Sequence, residues 1–160
     1  MKRAAFFDLD RTLLLKNSGK LWFRRERAEG RIRLHQALEA GAWLGLSELG
    51  LLRAHTALDR AVRGLRGQSE EDIADRTRRF FDEEIGPIFA PGGLAAVEAH
   101  KAVGDPVVLL TSSSNYLGHM VQEHLGLEDV LSMRFEVEDG IFTGRIEQLC
   151  YHKPMTANRM

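Results

Sequence analysis

Cysteine is nearly absent from this chain: Cys150 is the only one in 160 residues. That excludes an internal disulfide framework and any zinc site built from several thiolates. An excess of one charge is also missing, since 22 Lys+Arg stand against 23 Asp+Glu for a formal net charge of −1. No global basic field therefore recruits nucleic acid. No apolar run approaches the roughly 18 residues that a membrane span needs. Met1-Lys2-Arg3 leads straight into a strand-like segment rather than an apolar leader with a cleavage site. There is no internal repeat and no low-complexity stretch. These absences predict a soluble, cytoplasmic protein with neither a nucleic-acid nor a membrane partner, and they leave the oligomeric state open. With 44% hydrophobic residues the chain can bury a core, as one domain or as a core domain carrying an insertion.

Apolar runs place the predicted elements. Ala4-Ala5-Phe6-Phe7 reads as a short strand buried on both faces, ending in Asp8-Leu9-Asp10-Arg11-Thr12. Asn17-Ser18-Gly19 is a turn signal, followed by an arginine-rich stretch. Helical spacing predicts helices over 34–49, capped by Gly50, and over 51–65. Ser69 followed by Glu70-Glu71-Asp72 reads as an N-cap with an acidic first turn. The helix after it carries Ile73, Thr77, Phe80, Phe81 and Ile85 on one stripe, and Pro87 with Pro91-Gly92-Gly93 marks its end. From there the pattern becomes α/β. A helix over 94–103 precedes a buried strand Val107-Val108-Leu109-Leu110, which ends in Thr111-Ser112-Ser113-Ser114. Asn115 is placed to cap a helix ending near Leu125, and Asp139-Gly140 between two short apolar runs predicts a type I′ hairpin turn. The fold class is α/β: a Rossmann-like parallel sheet with an inserted helical cap and a hairpin near the C-terminus. Ligands collect at the carboxyl ends of such strands, which puts Asp8, Asp10 and Thr111–Ser114 in one crevice.

Asp8 and Asp10 carry the sharpest chemical signal. Residues two apart in an extended segment point the same way, so both carboxylates face one site. Two such acids repel, which favours a hard cation with oxygen ligands, Mg²⁺, between them. One carboxylate can then act as a covalent nucleophile and the other as an acid and base. Thr111 has two readings, a phosphate contact or a cap for the helix that follows. The six histidines are scattered, and His119 and His124 miss the i, i+4 spacing that places two ligands on one helical face.

The run Phe6-Phe7-Asp8-Leu9-Asp10-Arg11-Thr12-Leu13 resembles the first motif of the haloacid dehalogenase superfamily, D-x-D-x-T after a hydrophobic strand. Val107 to Ser114 resembles the second motif. Glu136-x-x-Asp139-Gly140-x-x-Thr143-Gly144 resembles the hairpin before the third motif in the phosphoserine-phosphatase-like branch. The resemblance implies that Asp8 is the nucleophile forming an aspartyl-phosphate. It makes Asp10 the general acid and base, with its main-chain carbonyl joining Asp8 on Mg²⁺. Thr111 would bind a phosphate oxygen. Lys153 would be the third-motif lysine, unless it is a terminal surface lysine. Thr12, Ser112, Ser113, Asn17 and Arg24 complete the expected substrate contacts. The core is expected over 1–14 and 90–160, and the helical cap over 15–89.

Phosphoserine phosphatases carry a glutamate nine residues after the nucleophile, to meet the substrate's amino group. Here Asn17 stands there, with Glu26 as a nearby substitute. Lys20, Arg24, Arg25, Arg27, Arg31 and Arg33 either steer an anionic phosphoester or form a solvated face balanced by Glu26 and Glu29. Trp22, Phe23, Trp43, Phe80 and Phe81 are expected to form the core of the cap. The family's fourth motif supplies a further acid, but no Asp or Glu follows Glu147. The expectation is thus a Mg²⁺-dependent phosphatase of a small phosphorylated metabolite, incomplete at its C-terminal end. The alternative is a catalytically impaired fragment that binds a phosphorylated ligand or partner.

Overall fold

The computed structural model describes residues 3–32 and 62–148. Cys150, Lys153, the predicted helix over 34–49 and most of that over 51–65 lie outside the described residues. The elements are β1 (Ala5–Phe7), α1 (Ser18–Ala28), α2 (Glu70–Phe80), α3 (Pro91–Ala102), β2 (Val107–Ser114), α4 (Asn115–Leu125), β3 (Asp129–Glu138) and β4 (Ile141–Gln148). A π-helical turn Phe81–Ile85 and a 3₁₀ turn Gly86–Ile88 join α2 to α3. The sheet order is β1-β2-β3-β4, with β1, β2 and β3 parallel and β4 antiparallel to β3. Helix α4 is the crossover between β2 and β3. This is the predicted α/β class.

Several local expectations hold for the reasons given. Ser69 has extended backbone and its hydroxyl accepts from the Asp72 amide, so α2 starts where the capping signal placed it. Ile73, Thr77, Phe80 and Ile85 are buried along the predicted stripe. Asp139 and Gly140 take positive φ angles of 52° and 75° at the hairpin turn, as a type I′ turn demands.

Other expectations need correction. The cap of α4 is Ser114, whose hydroxyl accepts from the Leu117 amide, rather than Asn115. Pro91 does not follow a helix but opens α3, because its fixed φ suits the first helical position and its missing N–H costs nothing there. Asn17 and Ser18 form the cap and first residue of α1 instead of a free turn. β1 is not covered on both faces among the described residues, since Phe6 is 53% exposed. β2 runs on to Ser114 rather than ending at Leu110. Its register against β3 shifts between Leu110 and Ser114, a bulge that swings Thr111–Ser113 out of regular pairing.

The hydrophobic core joins the sheet to the inserted segment. Leu9, Leu13, Leu14, Leu109, Val97 and Val121 cluster with Leu21, Phe80 and Ile85. The chain leaves the sheet and returns at one place: Leu14 bridges Phe89, Leu15 N donates to the Ile88 carbonyl at 3.0 Å, and Ala90 N donates to the Leu13 carbonyl at 2.8 Å. Trp22 meets Phe80 edge-to-face at 5.3 Å, and Phe81 meets Phe89 and His124, so these aromatics join the common core with the sheet instead of forming a separate cap core.

Helix α3 approaches this neck closely. A Cβ on Gly93 would lie 2.8 Å from the Thr12 carbonyl oxygen and 3.2 Å from the Leu13 Cα, both main-chain atoms that cannot swing away. A Cβ on Gly92 would meet nothing within 4 Å. Gly93→Ala should therefore cost about 1–3 kcal/mol in denaturant unfolding. Gly92→Ala, on the same helical turn, should be neutral or slightly stabilising. Equal effects from the two substitutions would disprove the close approach.

Candidate functional site at the ends of β1 and β2

The loop after β1 separates its side chains by alternation. Leu9 is fully buried, while Asp8 is exposed and Asp10 is half-buried. The loop is closed by Leu13 N and Leu14 N donating to the Leu9 carbonyl at 3.1 and 2.9 Å. Arg11 sits at φ 62°, in the left-handed region that costs an L residue about 1–3 kcal/mol. Such strain next to two acids is a common companion of a working site. Thr12 is exposed, with its carbonyl against α3.

The two acids have opposite surroundings. No hydrogen bond or ion pair among the described residues engages the Asp8 carboxylate. The Asp10 carboxylate is held at both oxygens: Asn17 Nδ2 donates to one at 2.8 Å and the Ser18 main-chain N–H to the other at 2.7 Å. The alternation thus aims both acids away from the buried Leu9 and, among the described residues, leaves one open and one tethered.

The end of β2 stands alongside. β1 and β2 pair with Phe7 opposite Leu109, so Asp8 and the bulge starting at Thr111 leave the sheet together. Thr111 is 3% exposed, and its hydroxyl accepts from Ser113 N at 3.1 Å. It does not cap α4; Ser114 does that. Ser113 Oγ lies 3.0 Å from Ser18 Oγ, and Ser112 is exposed. The structure thus places Asp8, Asp10, Thr111 and Ser113 at or just beyond the neighbouring carboxyl ends of β1 and β2, with Asn17 hydrogen-bonded to Asp10. Ser18 was read only as part of a turn. An Asn-Ser pair preceding a helical stretch is also an N-cap signal, which would have found it.

Arg24 lies apart from this cluster, exposed on α1 with Glu84 3.6 Å away. Arg25 pairs with Glu29, Glu83 and Glu84, and Arg31 with Glu26 and Glu29. Arg25, with 14% of its side chain exposed, is balanced by Glu29, Glu83 and Glu84, so this stretch is charge-paired but not a solvated face. Glu26 is not a substitute substrate contact: it is 6% exposed and accepts from Arg76 at 2.5 Å and from Arg31 at 3.0 Å. An open groove of about 940 Å³ between the hairpin and the chain near Arg63 includes none of Asp8, Asp10 and Thr111.

The cation implied by the resemblance can be tested against these donors. Asp8 offers an unengaged hard carboxylate, and Asp10's side chain is already used by hydrogen bonds, leaving its main-chain carbonyl. Among the described residues no three or more His, Cys, Asp or Glu form a closed cage. One carboxylate and a carbonyl suit Mg²⁺, which keeps several waters and takes phosphate oxygens instead of a full protein shell. The residues fit. Among the described residues no helix is long and apolar enough to cross a membrane.

Known proteins resemble this chain in sequence and in fold. The chain is 28% identical over 155 residues to a protein of Streptomyces azureus called an inhibition of morphological differentiation protein, covering 94% of this chain and 56% of that one. The chain spans about half the length of the curated relatives it matches. A solved protein of unknown function from Bordetella pertussis Tohama I superposes with a TM-score of 0.82 at 26% identity, over 92% of this chain and 67% of that one. A phosphoserine phosphatase from T. onnurineus superposes with a TM-score of 0.63 at 25% identity, over 92% of this chain and 65% of that one. A sequence model described as haloacid dehalogenase-like hydrolase matches residues 5–159. That span contains the paired strands β1 and β2 with Asp8 and Thr111 at their ends, and the chain belongs to this family.

Proposed function

We propose that the chain is the catalytic part of a phosphomonoester hydrolase acting through an aspartyl-phosphate on a small phosphorylated metabolite. One observation carries the reading: the two acids at the end of β1 divide into an Asp8 with no hydrogen bond or ion pair among the described residues and a tethered Asp10, with Thr111 at the end of the neighbouring strand. Family membership and the likeness to a phosphoserine phosphatase support it.

An Asp8 carboxylate oxygen attacks the phosphorus, forming an O–P bond as the bond from phosphorus to the substrate oxygen breaks. Protonated Asp10 gives its proton to that departing oxygen, so the leaving group is an alcohol. Asp10, now a carboxylate, takes a proton from a water that attacks the aspartyl-phosphate. Inorganic phosphate leaves and Asp8 is regenerated. Thr111 receives the Ser113 N–H on its oxygen, which frees its own hydrogen for a phosphate oxygen. Such donors matter because phosphoryl transfer depends on positioning and charge stabilisation. Mg²⁺, held by Asp8 and the Asp10 carbonyl, would supply charge neutralisation at the phosphoryl oxygens. Lys153, which lies outside the described residues, would add a further positive charge.

The test is release of inorganic phosphate from aryl and alkyl phosphomonoesters, with Mg²⁺ and then with excess chelator. Release that stops on chelation and returns with added Mg²⁺ is the expected result. Product phosphoesters formed with added alcohols would make the chain a phosphotransferase instead. No release, combined with calorimetric binding of a phosphorylated ligand, would replace hydrolysis by the ligand-binding reading.

A further inference from the structure

We propose that Asn17 is a positioning residue for the Asp10 carboxylate and not a substrate contact. This rests on the acid–base role given to Asp10 above, and it reassigns a position that sequence comparison reserves for substrate recognition.

Both ends of the Asn17 amide are committed. Nδ2 donates to one Asp10 oxygen at 2.8 Å, and Oδ1 accepts from Lys20 N at 2.8 Å, capping α1. The chemistry settles the orientation of the amide. Turning it over would set its carbonyl against a carboxylate and its NH₂ against an N–H, two repulsions in place of two bonds. The Ser18 N–H holds the other Asp10 oxygen at 2.7 Å. With one donor on each oxygen, the carboxylate cannot rotate about its last bond without breaking a hydrogen bond. The donors come from the start of a helix, where unpaired N–H groups face a negative charge favourably.

The same turn reaches the second strand. Ser18 is 2% exposed, and its hydroxyl lies 3.0 Å from that of Ser113. Ser113 N in turn donates to Thr111 Oγ1 at 3.1 Å. One run of hydrogen bonds therefore joins Asp10 through the first residues of α1 to Thr111. The acid that handles the proton and the hydroxyl offered to the phosphate are held in a fixed relation by the start of the inserted segment. A glutamate at position 17 could cap α1 but has no donor for Asp10. With asparagine there, the position has no charge to offer a substrate ammonium, and each polar atom of its side chain already carries a hydrogen bond within the protein.

Asn17→Ser and Asn17→Asp separate the two jobs of the residue. Both keep an oxygen that caps α1, so the helix start is preserved, while loss of the hydrogen bond to the Asp10 carboxylate should lower the melting midpoint, more for Asn17→Asp, which sets a second negative charge beside Asp10. Both lose the amide N–H that reaches Asp10, and the shorter serine hydroxyl is occupied in capping α1. The expected result is a fall in kcat of about tenfold to a hundredfold on an alkyl phosphomonoester, with KM little changed. The burst of phenolate from nitrophenyl phosphate, whose leaving group departs without a proton, should be retained. A raised KM with unchanged kcat would make Asn17 a substrate contact and overturn the proposal. Equal losses on the alkyl ester and in the burst would also overturn it. A second readout needs no turnover. In ¹H–¹⁵N spectra the side-chain amide of Asn17 should shift on Asp10→Ala, and an unmoved amide would overturn the contact. An inactive wild type would sink the hydrolase reading alone, because the amide shift decides the positioning contact separately.

Discussion

Asp8→Asn should lower phosphate release by at least about a thousandfold while leaving the fold untouched, because it removes the nucleophile and the carboxylate offered to Mg²⁺ but no contact among the described residues that supports the fold. The two halves of that expectation have different physical grounds. An amide has no anionic oxygen to form the bond to phosphorus, so chemistry stops at the first step. Stability is another matter. Asp8 is exposed and engaged by no hydrogen bond or ion pair among the described residues. Surface substitutions away from such contacts usually change stability by less than about 0.5 kcal/mol. Removing one of two neighbouring negative charges also relieves repulsion, so any shift in melting midpoint should be upward. The experiment pairs a single-turnover assay with a thermal melt of both proteins. Equal rates would remove Asp8 from the chemistry. A melt lowered by many degrees would mean that the carboxylate is structurally engaged.

Asp10→Asn should behave differently in the melt. Its carboxylate accepts from the Asn17 amide and the Ser18 N–H, and an amide in its place must turn an NH₂ toward one of these donors. Hydrogen bonds to charged groups are worth about 1.5–3 kcal/mol, so this variant should be destabilised where Asp8→Asn is not. The same D-x-D pair thus gives two distinct stability signatures, which follow from where each carboxylate sits.

Much of the site was legible because its signals are local. The apolar run ending in Asp8-Leu9-Asp10 fixes which side chains leave the core, since strand alternation buries Leu9 and expels its neighbours. Asp139-Gly140 supplies two residues that tolerate positive φ, and Ser69 before three acids supplies a cap with a favourable first turn. The misreadings have local causes too. Ser114 and Asn115 are both good caps standing side by side, and sequence does not choose between adjacent oxygens. Proline ends one helix and begins the next, so Pro91 carries a signal of either sign. What periodicity could not reach was pairing at long range. Glu26 and Arg76 are 50 positions apart, and nothing in either segment announces the other. Glu26 looked available for substrate because its neighbours are charged and α1 reads as a solvated face.

That pair makes the largest stability prediction. Glu26 is 6% exposed and Arg76 is 3% exposed, with 2.5 Å between them. Arg76 also donates to Gln68 at 2.6 Å and lies 3.1 Å from Asp72, while Arg31 donates to the other Glu26 oxygen at 3.0 Å. Removing Arg76 leaves the buried Glu26 with only the more exposed Arg31 as counter-charge, and breaking a buried pair in this way costs up to about 3–5 kcal/mol. Arg76→Ala should therefore lower the melting midpoint by roughly 10 °C. Replacing both members with Met should recover most of the loss, because well-packed apolar groups of similar size often match a buried pair. Arg145→Ala is the control: its pair with Glu136 is largely exposed, and such pairs contribute about 0–1 kcal/mol. A cost below about 1 kcal/mol for Arg76→Ala would mean that water reaches the pair. The prediction extends to catalysis through one helix. α1 begins at the hydrogen bonds that hold Asp10 and carries Glu26 near its end. Loss of Arg76 loosens the far end of α1 from α2, so the proton-handling carboxylate loses part of its support. Activity at moderate temperature should fall in kcat before the protein melts, with KM unchanged, because neither Glu26 nor Arg76 lies at the strand ends where a phosphate would sit.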